Sequence, residues 1–101
     1  MESRKIEISI VMPIYNLERF LEQSMDSLLD QTFQDFEIIC VDDGSKDRTP
    51  QILENYEKMD SRIQVLKQQN LYAGVARNNG TKKAQGKYII FLDGDDFFEN
   101  T

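Results

Sequence analysis

Apolar residues along the chain fall into two rhythms. Four short runs cover Ile6 to Ile14, Phe36 to Val41, Ile63 to Leu66 and Tyr88 to Leu92. The second and fourth are nearly continuous, the pattern of strands covered on both faces, as in a parallel sheet. Between the runs the spacing becomes helical. Phe20, Leu21, Met25, Leu28 and Leu29 form one stripe. Ile52, Leu53, Tyr56 and Met59 form a second, entered through Thr49 and Pro50. Proline suits a first helical turn because its missing N–H would have had no partner there. A third helix is predicted from about Tyr72 to Gln85, weakened by Gly80 and closed by Gly86 as a left-handed cap. The order β-α-β-α-β-α-β predicts right-handed crossovers. It points to an α/β fold, with an open, mostly parallel Rossmann-like sheet and helices on both faces. No internal repeat, linker or low-complexity segment interrupts it.

In such sheets ligands bind at the carboxyl ends of the strands. The polar clusters fall there: "PIYN" after the first run, "DDGSKD" after the second, "QQN" after the third and "DGDD" after the fourth. The coincidence at four strand ends says more than any one cluster.

Composition narrows the chemistry. The 101 residues are 40% hydrophobic and 30% charged, enough for one domain with a core. The net charge of −6 offers no basic stripe for a phosphate backbone, so nucleic acid is not expected as a partner. No apolar stretch approaches the roughly 18 residues of a membrane span, and "MESRKIEISI" lacks the apolar core of a signal peptide. Cys40 is the single cysteine and fits a reducing, cytoplasmic setting. There is no histidine, so a general base must be a carboxylate or lie outside the chain.

Two acidic clusters carry the candidate chemistry. Asp42, Asp43, Gly44 and Ser45 form turns readily. As a site, a carboxylate there would accept the N–H of a nucleobase, with Gly44 letting the backbone come close. Asp93, Asp95 and Asp96 crowd into four positions behind an apolar run. Close carboxylates resist ionising together. A hard divalent cation, Mg²⁺ or Mn²⁺, would relieve them and bring a diphosphate with it. Arg77, in the third helix, could pair with these acids or with a phosphate. Tyr15 could stack on a base or simply pack. Lys82 and Lys83 read as surface, and Cys40 as core.

Taken in order, "SIVMPIYN", "FEIICVDDGSKDRT" and "QNLYAGVARNNGTKKAQGKYIIFLDGDD" resemble the family 2 glycosyltransferases of the GT-A fold, from Ile8 to Phe98. The resemblance implies inverting transfer of a sugar from a nucleotide-sugar, a UDP-sugar in many members, to a hydroxyl of a saccharide or lipid-linked acceptor. It implies that Asp42 binds uracil and that Pro13, Tyr15 and Asn16 border the base. Asp93 and Asp95 form the Asp-x-Asp motif, Asp93 near the ribose and Asp95 on the metal. Arg77 matches the helix arginine beside the nucleotide, and Glu18 an acid common after the first motif. Asp43 and Gly44 belong to the same nucleotide loop. The family's catalytic base and most acceptor contacts lie beyond Thr101. Residues 1–101 are therefore expected to be the nucleotide-binding part of a truncated domain, inactive alone and prone to self-association through an open sheet edge.

Rival readings fit less well. A haloacid dehalogenase-type phosphatase would make Asp93 the nucleophile, but expects Thr or Val where Phe97 stands. A nucleotidyltransferase shares nucleotide and metal, yet "PIYNLERF" has no glycine-rich basic loop. An EF-hand-like calcium loop would place Phe97 and Phe98 at its fifth and sixth positions, against the usual ligand and glycine. A nucleotide-binding module without turnover is the other alternative.

Overall fold

The computed structural model describes residues 6–30, 35–69 and 72–92. Seven elements alternate along them: β1 (Ile8–Ile14), α1 (Leu21–Leu29), β2 (Phe36–Asp43), α2 (Thr49–Met59), β3 (Ile63–Gln68), α3 (Tyr72–Lys83) and β4 (Tyr88–Phe91). The four strands are parallel, in the order β3-β2-β1-β4. The open α/β sheet read from the hydrophobic pattern is the one observed.

The pleat of β2 sorts the layers, because successive side chains point to opposite faces. Ile38 and Cys40 pack with Leu21, Met25 and Leu28 of α1 and with Leu53 and Tyr56 of α2. Ile39 and Val41 pack with Ala76 of α3. Helices thus cover both faces, and Phe36 to Asp42 are buried throughout. The two helices on the first face are also tied together by Tyr56, whose hydroxyl donates to Asp26 Oδ1 at 2.6 Å. Burial and the neighbouring Asp26 carboxylate raise the phenol's pKa.

The two helical glycine calls need correction. Gly80 does more than weaken α3. It is buried, and a Cβ there would collide with Val11 and come within 3.3 Å of Val41 Cγ2. The missing side chain lets the helix lie directly on β1 and β2. Gly86 is no left-handed cap: among the described glycines only Gly44 has positive φ, and α3 already ends at Lys83. Gly86 is needed because a Cβ would meet Ser9 Oγ at 2.6 Å and Ser9 N at 2.7 Å. Ser9 Oγ instead accepts the Gly86 N–H at 2.8 Å and donates to Glu37 Oε2 at 2.6 Å. The same Glu37 oxygen accepts the Gln85 N–H at 2.7 Å. These bonds fasten the α3–β4 turn to the floor of the sheet and satisfy a buried carboxylate.

β4 is also corrected. Its apolar run suggested cover on both faces, yet all four residues are exposed. Among the described residues the strand stands at the sheet edge and pairs with β1 alone. Among the described residues no helix is long and apolar enough to cross a membrane.

Candidate functional site

The chain runs from β1 through β2 to β3 on one side, then returns through α3 to β4 on the other side of β1. The carboxyl ends of β1 and β4 therefore flank the switch in direction, where open α/β sheets hold their ligands. The polar loops after β1 and β2 meet at this end.

Asp42 is the penultimate residue of β2 and is 3% exposed, in register with Ile14 of β1 and Lys67 of β3. Its Oδ1 accepts the Ser45 N–H at 3.1 Å. The turn passes through Gly44 at φ 79°, which favours glycine. Asp43 points to the other face of the sheet. Its Oδ1 accepts from Gln68 Nε2 at 3.1 Å, and Gln68 Oε1 accepts from Asn79 Nδ2 at 2.7 Å.

The two loops are laced by side-chain to backbone bonds running both ways. The Asn16 N–H donates to Ser45 Oγ at 2.9 Å, and Asn16 Oδ1 accepts the Lys46 N–H at 2.8 Å. The Glu18 N–H donates to Asp47 Oδ2 at 3.2 Å, and Glu18 Oε1 accepts the Arg48 N–H at 3.1 Å. Between them the Leu17 N–H donates to Thr49 Oγ1 at 2.9 Å. Asn16 sits at φ 50°, a left-handed conformation that asparagine tolerates better than most residues. Asp47 also bonds two residues on, its Oδ1 accepting the N–H of Thr49, the first residue of α2, at 2.8 Å. Burial works against the Asp47 charge. Hydrogen bonds from the Thr49 hydroxyl and N–H and from the Glu18 N–H outweigh it and hold the carboxyl below its usual range.

The predicted residues therefore divide. Asp42, Asp43, Gly44, Asn16 and Glu18 come together at the strand ends. Asn16 and Glu18 spend their side chains on the neighbouring loop. Pro13 is half-buried in β1 beside Val41, and Tyr15 is 46% exposed just after β1. Arg77 is half-buried in the second turn of α3. Asp93, Asp95 and Asp96 lie outside the described residues; Leu92, just before them, donates its N–H to Val11 O at 3.0 Å. Cys40 is core, as read: burial first, then the charges of Glu57 and Asp42, push its thiol up to about 12.

Sequence reasoning missed Ser45, Asp47 and Thr49 as loop partners, missed Asn79, and named Gln68 only as part of the "QQN" cluster after the third run. The Asp47-Arg48-Thr49 spacing carried a local signal, since Asp commonly bonds the N–H two residues on. The contacts between the loops join residues about 30 positions apart, which no local pattern shows.

Residues 9–101 match the family described as glycosyl transferase family 2. The chain is 52% identical over 90 residues to the uncharacterized glycosyltransferase EpsJ of Bacillus subtilis, covering 89% of this chain and 26% of that protein. It superposes with a TM-score of 0.74 on S. aureus TarS 1-349 in complex with UDP, at 31% identity over 89% of this chain and 28% of that one. At 20% identity and a TM-score of 0.82, the mannosyltransferase PcManGT from Pyrobaculum calidifontis, in complex with GDP-Man and Mn²⁺, shares the fold over 90% of this chain and 28% of its own. The chain thus spans about a quarter of the length of the relative EpsJ.

Proposed function

Because the chain belongs to glycosyl transferase family 2, we propose that it forms the donor-nucleotide part of an inverting glycosyltransferase that uses a UDP-sugar. The observation that carries this reading is Asp42. It is a carboxylate buried to 3% exposure at the carboxyl end of β2, one strand from the switch point, with one oxygen engaged by Ser45. Such a group can select a base by accepting its N–H. The similarity to TarS, solved with UDP, supports uracil as that base.

In this reading Asp42 takes the base and Tyr15 and Pro13 border it. Asp43 and Arg77 approach the same nucleotide from the α3 face. Asn16 and Glu18 shape the pocket by fixing one loop against the other. An acceptor hydroxyl oxygen bonds to the anomeric carbon from the face opposite the diphosphate. The bond from that carbon to the diphosphate oxygen breaks, and the hydroxyl proton passes to a carboxylate base outside this chain. The acceptor is a saccharide or a lipid-linked acceptor, and the reaction faces the cytoplasm.

The metal reading rests on Asp93 and Asp95. Among the described residues no three potential metal ligands gather. The paired carboxylates of the Asp-x-Asp sequence have the hard oxygen chemistry that Mn²⁺ or Mg²⁺ takes. A bound cation would neutralise charge growing on the departing diphosphate. The exposed outer edge of β4, with Tyr88 at 57% and Phe91 at 48%, also suits pairing with a second copy.

The test is a UDP titration with Mn²⁺ and again with EDTA. Affinity should rise with metal, and Asp95→Ala should abolish the difference. Binding indifferent to both would count against the reading.

A further inference from the structure

We propose that Gln68 and Asn79 are positioning residues for the donor nucleotide, holding the Asp43 carboxylate in one orientation. This inference rests on the donor-site reading above. Gln68 ends β3 in register with Asp43 of β2, and Asn79 reaches the pair from α3. Gln68 is 8% exposed, while Asp43 and Asn79 are half-buried.

The chain of bonds has a direction. A carboxylate only accepts hydrogen bonds, so Gln68 must present its NH₂ to Asp43. It does so at 3.1 Å. That leaves the Gln68 carbonyl facing α3, where it needs a donor, and Asn79 Nδ2 supplies one at 2.7 Å. Turning the Gln68 amide over would set its oxygen against the Asp43 oxygen and its NH₂ against that of Asn79. Asp43 thus decides which end of Gln68 faces it, and Asn79 holds the other end in place. Side chains from three elements, β2, β3 and α3, meet in one chain of bonds that ends on this carboxylate. Ordering it in advance removes an entropic cost from nucleotide binding.

A bland alternative is that the same bonds only pack α3 on the sheet. A double-mutant cycle on ligand affinity separates the two. UDP is titrated with Mn²⁺ into the unmutated chain, Asn79→Ala, Asp43→Asn and the double variant, with Gln68→Met replacing Asn79→Ala in a second cycle. Asn79→Ala and Gln68→Met should each weaken UDP by about fivefold, the worth of one hydrogen bond, with unchanged circular dichroism. On the Asp43→Asn background the same changes should cost nothing further. Equal losses on both backgrounds, or no loss from either single change, would overturn the proposal while leaving the donor site intact. An unmutated chain that takes up no UDP would overturn the donor-site reading, and this proposal with it.

Discussion

Asn16, standing at φ 50°, holds the backbone of Lys46: its side-chain oxygen accepts that N–H at 2.8 Å. One asparagine thus supplies a turn that most side chains resist and a strut between loops 30 residues apart.

Asn16→Ala should lose both contributions. The expected destabilisation is about 1–2 kcal/mol, combining the lost hydrogen bond with strain at positive φ. Asn16→Gly should recover the backbone part only. Urea unfolding of the three proteins checks the order wild type, Gly, Ala; Ala as stable as wild type would show that the strut carries nothing.

Asp47 predicts a pH dependence. Its folded pKa lies below its ordinary value, because hydrogen bonds from Thr49 and Glu18 prevail over burial. A depressed folded pKa gives stability that is present above the unfolded value, near ~3.9, and is lost as pH falls through the folded one. The group is half-exposed, which keeps the effect small. The stability gap between wild type and Asp47→Asn should shrink between about pH 5 and pH 2. A gap that stayed constant through that window would contradict the assignment.

Gly80 and Val11 test how α3 sits on the sheet. In a free helix alanine is favoured over glycine by about 1 kcal/mol. Here the added methyl meets Val11, so Gly80→Ala should destabilise. On a Val11→Ala background, where the opposing methyls are gone, the same change should become neutral or stabilising. Thermal melts of the four proteins decide it, and a stabilising Gly80→Ala in the wild-type chain would refute the close approach.

These residues also show what could be read in advance. The unbroken run Phe36 to Val41 declared a two-sided strand because a covered strand has no polar face to alternate. A similar run in β4 promised the same and did not deliver it. Hydrophobicity records that a strand will be covered, not which element covers it. Lys67 and Gln68 looked like loop, yet they continue the ladder beside Asp42 and Asp43. Gly80 and Gly86 were visible as glycines, but their need comes from Val11 and Ser9, about 70 or more positions away in the chain. Asp42 and Asp43 were legible from strand-end chemistry. Asp93 and Asp95 were equally legible and lie outside the described residues; the nucleotide role of the first pair and the metal role of the second are both proposals.

The central claim is that Asp42 selects the base, and calorimetry with UDP and ADP on wild type and Asp42→Ala tests it most directly. The account predicts that UDP binds more tightly than ADP to the wild-type chain. It predicts that Asp42→Ala costs UDP about 1–3 kcal/mol, the value of a lost hydrogen bond to a buried carboxylate, and leaves ADP nearly unchanged. Equal affinities for UDP and ADP, or an Asp42→Ala variant that still prefers UDP, would contradict it.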